Sequence, residues 1–353
     1  PTQVLRHRHR LLDRTRNMNA SRIDAHVHIA GDHAETRALF ADLDVGLINV
    51  SVPQPDQARW RQRSGVWRDL AAIDAARYAW VCGFDLPTFD AGGRVVDGWV
   101  ESAIADIDAG IEAGCVGCKI WKNIGMEVQR PSGEYVMVDD PIYTPIYDHL
   151  AARDLTLLLH IGEPLACWRP LDDPEDPHYG YYTANPEWHM HGRDGFPSHE
   201  QIMTARDSMV AAHPQLRVVG AHLASLEWDV DEVAARLDRF DNFAVDTSAR
   251  LLDLARQDPD KVRAFLDHYS SRVLWGTDIV EYGLYSELPD DERAQAHLSL
   301  RQRYEEEIGF YSQAGTVEVR GRQVQGLGLD ATLQRRLFRD NAMQWYPSLA
   351  ADA

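Results

Sequence analysis

The amino-acid sequence predicts an α/β fold, a (β/α)8 TIM barrel with long βα loops after strands 4 and 5. Short apolar or β-branched segments recur eight times along the 353 residues, each followed by a stretch compatible with a helix. Such alternation is typical of βαβ units and a parallel sheet. The length suits one barrel or two smaller domains, and the eightfold repeat favours the barrel. No GxGxxG motif follows the first segment, which disfavours an open dinucleotide-binding sheet.

The eight predicted strands share a short apolar run that ends in a polar residue or a loop. In chain order they are Arg22–His28, Val45–Val52, Tyr78–Asp85, Val116–Lys122, Leu155–His160, Leu216–His222, Asn242–Thr247 and Arg272–Asp278. Strands of this length and composition suit the fully buried sheet of a barrel.

The segments between and after these strands have helical or hairpin patterns. One helix is indicated by an apolar stripe with acidic residues in its first turn, formed by Val230, Val233, Leu237 and Phe240. Further helices are predicted at Trp99–Ala113, at Leu252–Tyr269 and at Leu333–Trp345, the last packed on the outside of the barrel. The alternation in Thr316–Gln325, around Arg320 and Gly321, predicts a hairpin.

Two long loops are predicted on the face of the barrel where substrates bind. Trp121–Pro141 follows the fourth strand, and Ile161–Pro197 follows the fifth and is rich in Pro, Trp, Tyr and His. In a barrel, both project from the C-terminal ends of the strands.

The composition excludes some classes of function. The net charge of −19 and the pI near 5.1 disfavour nucleic-acid binding through a basic surface. No uninterrupted apolar stretch is long enough to cross a bilayer, so no membrane partner is expected. The four cysteines are Cys82, Cys115, Cys118 and Cys167, and a single CxxC pair without a second pair disfavours a zinc knuckle. Buried reduced thiols in a cytoplasmic protein are the simplest interpretation.

The first 20 residues differ from the rest of the chain. They contain the basic segment RHRHRLLDRTR and lack the apolar stretch of a secretory signal. The domain prediction is therefore a basic N-terminal tail at residues 1–20, with a composition compatible with disorder, and a single barrel domain at residues 21–353. His7 and His9 form an HxH pair in this tail, but no strand follows them and no metal role is assigned.

Residues that can bind metal stand at the ends of four predicted strands. The first strand ends in His26 and His28, which project to the same side because they are two residues apart in a strand. The fifth ends in His160, the sixth in His222 and the eighth in Asp278. Imidazole and carboxylate ligands suit zinc and similar divalent ions, with one position left for water.

The order of these residues resembles the amidohydrolase superfamily. The segments DAHVH, LLLHIGEP, VVGAHL and VLWGTD are similar to the branch that contains aminocarboxymuconate semialdehyde decarboxylase, resorcylate-type decarboxylases and several lactonases. The resemblance spans about Ile23 to Tyr346. It implies one divalent ion, zinc or alternatively manganese, held by His26, His28, His160 and Asp278.

The resemblance also implies catalytic roles for two residues. Asp278 would accept a proton from the attacking water, and His222 would lie beside the metal as a general acid or base that titrates near neutrality. Lys119 occupies the place where binuclear relatives carry a carboxylated lysine that bridges two metals. We expect instead a lysine that faces the substrate next to a single metal, with a structural salt bridge as the alternative.

Substrate-binding residues are predicted at the mouth of the barrel. Besides Lys119 they are Lys122, Glu163, Trp168 and Arg250. Arg250 could hold a carboxylate in a bidentate contact, and Glu163 could instead orient a metal ligand. A packing or solvated role is the alternative for each.

Three functions remain open at this point. The first is hydrolysis, in which a metal-activated water attacks a lactone, ester or amide carbonyl of a small polar substrate. The second is metal-dependent, non-oxidative decarboxylation of a small carboxylic acid, and the third is a non-catalytic metal-binding barrel. The intact HxH and the polar, aromatic loop after strand 5 favour hydrolysis. The basic residues Lys119, Lys122 and Arg250 predict an anionic or hydroxyl-rich substrate, and the family resemblance allows a homodimer.

Overall fold

The computed structural model describes residues 18–31, 33–281 and 288–350. Its main sheet has nine parallel strands in the order β8-β7-β6-β5-β4-β3-β2-β1-β9. The strands are β1 (Arg22–Ile29), β2 (Val45–Val50), β3 (Tyr78–Cys82), β4 (Gly117–Ile120), β5 (Thr156–Leu159), β6 (Val218–Gly220), β7 (Phe243–Asp246), β8 (Val273–Leu274) and β9 (Val280–Glu281). The predicted (β/α)8 barrel is confirmed, and each predicted strand contains an observed one or overlaps it.

Helices follow the strands around the outside of the sheet. They are α1 (Ala34–Asp42), α2 (Gln57–Ile73), α3 (Trp99–Glu112), α4 (Thr144–Ala152), α5 (Tyr179–Ala184), α6 (His199–Ala212), α7 (Val230–Arg239), α8 (Leu251–Ala255), α9 (Pro259–His268), α10 (Asp290–Ser312), α11 (Ala331–Arg335) and α12 (Asn341–Trp345). A π-helical turn at Arg336–Asp340 joins α11 to α12. The predicted helices at Trp99–Ala113 and around Val230–Phe240 correspond to α3 and α7.

The segment from β8 to β9 closes the barrel against β1. The amide of Ala25 donates to the carbonyl oxygen of Trp275 at 2.9 Å, and the amide of Asp278 donates to the carbonyl oxygen of His26 at 2.8 Å. His28 then pairs with Val280 of β9. These bonds bring the ends of β1 and β8 side by side, which places His26 and Asp278 next to each other.

Strands β1 to β8 are buried on both faces, which explains their continuous apolar runs. Leu157 and Val218 face the helices, whereas their neighbours Leu158 and Val219 fill the interior of the barrel. Each of these four side chains is fully buried. The interior is therefore a packed core.

The prediction of a single helix at Leu252–Tyr269 is wrong. The structure has α8 and α9 there, separated at Asp258 and Pro259. The residue before a proline is disfavoured in the helical region, and Asp258 instead caps α9 by accepting from the amides of Asp260 and Lys261.

The C-terminal region contains the predicted hairpin and a helix whose position differs from the prediction. The hairpin consists of β10 (Ala314–Val319) and β11 (Arg322–Leu327), paired antiparallel. The helix predicted at Leu333–Trp345 is present as α11, the π-helical turn and α12. It contacts the N-terminal end of the barrel, because Thr156 donates to the carbonyl oxygen of Trp345 and the indole of Trp345 donates to the carbonyl oxygen of Ser271.

Other predictions concern the chain's start, its cysteines and membranes. Residues 1–17, with His7 and His9, lie outside the described residues, while Met18 is fully buried in the core of the barrel. The four cysteines are free and buried. Among the described residues, no helix is both long and apolar enough to span a membrane.

Candidate metal centre

Five side chains from four strand ends meet at the C-terminal end of the barrel. They are His26 and His28 of β1, His160 after β5, His222 after β6 and Asp278 after β8. One potential ligand atom from each of His26, His222 and Asp278 lies within 4.8 Å of the others. The C-terminal ends of parallel strands converge at one edge of a barrel, which explains how distant residues come together.

The imidazole of His26 is held from behind by a carboxylate. Its Nδ1 lies 2.9 Å from Oδ2 of Asp246, and the ring is 1% exposed. A proton on Nδ1 donates to this carboxylate, which leaves the lone pair of Nε2 free on the side of Asp278. Gly276 packs against His26, and a Cβ there would lie 3.1 Å from the Cβ of His26, so a larger residue would require His26 or its neighbours to shift.

His28 and Asp278 contact each other at the edge of the centre. Nε2 of His28 lies 3.2 Å from Oδ1 of Asp278, and Nδ1 of His28 has no hydrogen-bond partner in the described part of the chain. Burial alone would raise the pKa of Asp278, but the neighbouring imidazoles of His222, His28 and His26 hold it well below its usual range. Asp278 is therefore an ionised carboxylate, the form that suits a metal ligand.

His222 is presented by a left-handed turn. Residues His222, Leu223, Ala224 and Ser225 have φ between 54° and 60°, a region that costs L-residues about 1–2 kcal/mol each. The turn is held by the amide of His222, which donates to Oδ1 of Asp246 at 2.8 Å. Nδ1 of His222 lies 2.9 Å from both the hydroxyl and the carbonyl oxygen of Ser248. Strained backbone that is fixed by its surroundings is typical of functional sites.

Burial makes His222 a neutral imidazole. It lowers the pKa of His222 to about 3, although the Asp278 carboxylate opposes this shift. The ring lies inside the barrel end and is held neutral, and its role as a general acid or base stays a prediction. A neutral His222 first accepts a proton and only then donates it.

His160 contacts the other residues of the centre by way of the His222 ring. Its Nδ1 lies 3.2 Å from Nε2 of His222, and its Nε2 is buried without a partner among the described residues. Burial, reinforced by His222, lowers the pKa of His160 well below its ordinary value, so this ring is also neutral.

This donor set fits a divalent metal ion. Neutral imidazoles and an ionised carboxylate are the ligand types that zinc and manganese accept. The ring nitrogens of His28 and His160 that lack partners among the described residues are buried polar atoms of the kind that ligand binding satisfies. The structure thus brings all four predicted ligands and His222 together, and the division of roles between His160 and His222 stays a prediction.

Lys119 of β4 lies beside His26. Its Nζ is 3.4 Å from Nε2 of His26 and is almost fully buried. Burial lowers the pKa of Lys119 to about 8, against the pull of Asp246 and Asp278. The side chain therefore lies next to the predicted metal position. This place is compatible with a lysine that faces the substrate and with a carboxylated lysine that bridges two metals.

Lys122 and Glu163 form a buried ion pair at the mouth of the barrel. Lys122 donates to Glu163 and lies 4.0 Å from the ring centre of Trp188. Burial lowers the pKa of Lys122, but the carboxylate of Glu163 raises it above its ordinary value. Lys122 and Glu163, both predicted to bind substrate, are therefore each other's ion-pair partners. Their contact links the loop after β4 to the loop after β5.

Arg250 lies between the centre and a group of buried acids. It is 6% exposed and donates to the carbonyl oxygen of Ala249, and its Nε has no partner among the described residues. Burial opposes its charge, but Asp253 and Glu227 raise the pKa of Arg250. Its Nε, unpartnered within the described part of the chain, leaves hydrogen-bonding capacity for a ligand.

Trp168 is a packing residue of the long loop. Its indole donates to the carbonyl oxygen of Pro197 at 3.0 Å, and its ring packs edge-on against His199 with centroids 5.2 Å apart. The structure therefore does not bring Trp168 to the five-residue centre, in contrast to Lys119.

Asp246 and Ser248 were not among the residues predicted from the sequence. Asp246 is a fully buried carboxylate at the end of β7, and Ser248 follows it two residues later. Burial alone would raise the pKa of Asp246, but His26 and the other hydrogen-bond donors hold it well below its usual range. The available signal was an acidic residue at the end of an apolar strand, the same signal that identified Asp278.

Comparison with known proteins places the chain among related barrels. The model of the family described as amidohydrolase matches residues 23–348. No curated protein gives a significant match. Among solved structures, a 2,6-dihydroxybenzoate decarboxylase from Rhizobium has 14% identity over 90% of this chain and 88% of its own, with a TM-score of 0.50.

Two further solved structures have similar coverage. A 2,6-dihydroxybenzoate decarboxylase bound to 2,6-dihydroxybenzoate has 15% identity over 90% of this chain and 88% of its own, with a TM-score of 0.50. An uncharacterised TIM-barrel protein from Bordetella bronchiseptica has 14% identity over 93% of this chain and 99% of its own, with a TM-score of 0.49. At these identities the decarboxylase structures support the fold alone.

Proposed function

The chain belongs to the amidohydrolase family of enzymes, and from this premise we propose that it is a metal-dependent hydrolase of a small anionic substrate. The bond cleaved would be that of a lactone, ester or amide. The observation that carries the proposal is the compact group of His26, His222 and Asp278, extended by His28 and His160. The proposed ligands are His26, His28, His160 and Asp278, and the proposed ion is one zinc, with manganese as the alternative.

A divalent ion at these ligands would supply Lewis acidity and lower the pKa of water to near neutrality. The protein's own groups would then manage the protons. Asp278 is ionised and can accept a proton from the attacking water, while neutral His222 can accept one at Nε2 and pass it to the leaving group.

The charge of the site supports an anionic substrate. Arg250 keeps an unpartnered Nε among the described residues, and Lys119 points to the metal position from β4. A guanidinium buried without a carboxylate partner can bind a substrate carboxylate through charge-assisted hydrogen bonds. Lys122 is already paired with Glu163, so we assign it to holding the loops rather than to binding substrate directly.

Non-oxidative decarboxylation is the second candidate. The observation that favours it is a set of aromatic rings around the centre, since Trp67 packs on His28 with centroids 5.7 Å apart and Trp121 on His160 at 6.4 Å. Flat apolar walls of this kind suit an aromatic acid. The same proposed ligands and the same neutral His222 would serve this reaction.

Isotope incorporation separates the two reactions. A panel of carboxylated lactones, esters and amides, together with hydroxybenzoic acids, is incubated in H2¹⁸O and in D2O. Hydrolysis places ¹⁸O in the product acid, whereas decarboxylation releases CO2 and places deuterium on the carbon that lost it. Deuterium on carbon with CO2 release, and no ¹⁸O-labelled acid, would overturn the hydrolase proposal.

Metal content tests the site itself. We expect about one zinc or manganese per chain in the wild type, and loss of at least nine-tenths of it in His26→Ala and Asp278→Ala, because each removes a ligand from the compact group. The measurement is elemental analysis of purified protein, with circular dichroism as a check of folding. His189→Ala, on the loop after β5, is the matched control and should keep its metal. Unchanged metal in both ligand variants would contradict the assignment, and two metals per chain would favour a bridging Lys119.

A further inference from the structure

The carboxylate of Asp246 contacts both sides of the centre at once. Its Oδ2 lies 2.9 Å from Nδ1 of His26. Its Oδ1 accepts from the amide of His222 at 2.8 Å, from the amide of Ser248 at 3.1 Å and from the hydroxyl of Ser248. Asp246 and Ser248 are fully buried, so water does not compete for these contacts.

The hydrogen-bond directions follow from the number of donors and acceptors. An ionised carboxylate only accepts, so Nδ1 of His26 must donate to Asp246 and carry the proton. The hydroxyl of Ser248 has one hydrogen and gives it to Oδ1 of Asp246. The oxygens of Ser248 then accept from Nδ1 of His222. Both imidazoles therefore carry their proton on Nδ1 and keep the lone pair of Nε2 towards the centre.

We propose that Asp246 is a positioning residue that fixes the tautomer of the metal ligand His26 directly and holds His222 through its amide and through Ser248. This inference rests on the proposed metal-dependent function. One carboxylate would then couple metal binding on one strand to proton transfer on another, because both histidines are anchored to the same group at the end of β7.

The variant Asp246→Asn tests the tautomer. The asparagine side chain has one acceptor, and two backbone amides at the Oδ1 position require it there. The amide nitrogen then faces Nδ1 of His26 and donates to it, so the His26 proton moves to Nε2. A protonated Nε2 cannot bind a metal. We expect zinc to bind 10–100-fold more weakly, the usual effect of losing a carboxylate that orients a histidine ligand.

Two measurements check the inference, and neither needs a substrate. Nitrogen-15 chemical shifts of the imidazoles in chelator-treated protein report the tautomers, with Nδ1–H expected for His26 and His222 in the wild type and Nε2–H for His26 in Asp246→Asn. Competition with a chromophoric chelator gives the zinc dissociation constant. Asp253→Asn is the matched control, because Asp253 also accepts from a buried histidine, His178, at 2.9 Å but does not contact His26. Its zinc affinity should equal that of the wild type.

The outcomes separate this inference from the proposed function. If the wild type binds no zinc or manganese, the proposed function fails. If the wild type binds zinc and Asp246→Asn binds it equally well, the inference is overturned while the proposed function stands. Should Asp246→Asn not fold, the wild-type tautomers decide alone, since a His26 with its proton on Nε2 would overturn the inference.

Discussion

Buried carboxylates outside the candidate metal centre give the protein's stability a dependence on pH. Glu307 of α10 is 3% exposed, its Oε1 lies 3.5 Å from a guanidinium nitrogen of Arg320, and its Oε2 has no partner among the described residues. Burial raises the pKa of Glu307 to about 8, although Arg320 opposes the shift. The folded protein therefore keeps this group protonated at pH values where the unfolded chain has released the proton.

Replacement of Glu307 by Gln should flatten the dependence of stability on pH. Because its folded pKa is raised, the stability linked to Glu307 is fully present below about pH 4.5 and is lost as pH rises to about 8. Over that range we expect the wild type to lose on the order of 4 kcal/mol more unfolding free energy than Glu307→Gln. Urea titrations at a series of pH values measure this difference. The control Glu305→Gln, on the exposed side of the same helix, should follow the wild type, and parallel curves for wild type and Glu307→Gln would refute the argument.

At the level of single residues, the sequence predicted the side chains that face the centre better than those that hold them. His160, His222 and Asp278 were recognisable because each is a ligand-type residue at the end of an apolar run. Asp246 carries the same kind of signal, but its contact with His26 links residues 220 positions apart, and Ser248 carries no such signal. Only the closed barrel shows that pairing.

The loop after β5 is attached to the loops after β6 and β7 by buried polar contacts. His178 and Asp253 lie 2.9 Å apart, and the amide of Leu165 donates to Oε1 of Glu227 at 2.8 Å. Arg256 adds a contact by donating to the carbonyl oxygen of Glu175 at 2.7 Å. These contacts fix the long loop over the end of the barrel, where it carries Glu163.

Removal of the His178 contact should loosen this loop without unfolding the barrel. In His178→Ala the buried carboxylate of Asp253 loses a charge-assisted partner, a loss of about 1.5–3 kcal/mol. We expect amide exchange in α5, which follows His178 directly, to become about tenfold faster or more, measured by hydrogen–deuterium exchange. His268→Ala, at the exposed end of α9, is the control and should leave exchange in α5 unchanged. Unaltered exchange in His178→Ala would show that other contacts hold the loop.

The elements differed in how well their patterns predicted them. Helix α7 has an apolar stripe on one face and acidic residues in its first turn, so its bounds followed from the sequence. Helix α10 has 23 residues, of which only six are buried, among them Leu300, Tyr304 and Phe310, and this sparse pattern was not recognised. The break between α8 and α9 required the Asp258-Pro259 pair to be given more weight than the helical periodicity.

On the scale of the whole molecule, the eightfold repeat was sufficient to predict the barrel, but not how its N-terminal end is closed. Tyr346 and Leu349 are fully buried in the same core as Ile48, Leu158 and Val219 inside the barrel. Because these C-terminal residues follow all the barrel strands in sequence, no local pattern indicated that they complete the core.

Truncation of Tyr346 should destabilise the entire barrel. A Cβ at Gly117 would lie 3.0 Å from the ring of Tyr346, which shows how tightly this ring fits against the start of β4. Removal of a buried aromatic ring costs about 3–5 kcal/mol, so Tyr346→Ala should lose about that much unfolding free energy in urea. The control Leu298→Ala, where the side chain is 60% exposed, should change it by no more than about 0.5 kcal/mol. Equal effects in the two variants would contradict the role of Tyr346 in the core.

The position of Tyr346 and Leu349 has a consequence for synthesis on the ribosome. Translation produces the strands in order from β1 to β8. Tyr346 and Leu349, which close the N-terminal end of the barrel, follow only after the hairpin. Until they leave the ribosome, the apolar side chains at that end, such as Ile23 and Leu158, stay open to water. A nascent chain in this state exposes the kind of surface that chaperones bind. Release of residues 341–349 is therefore the event that allows the newly made barrel to become fully closed.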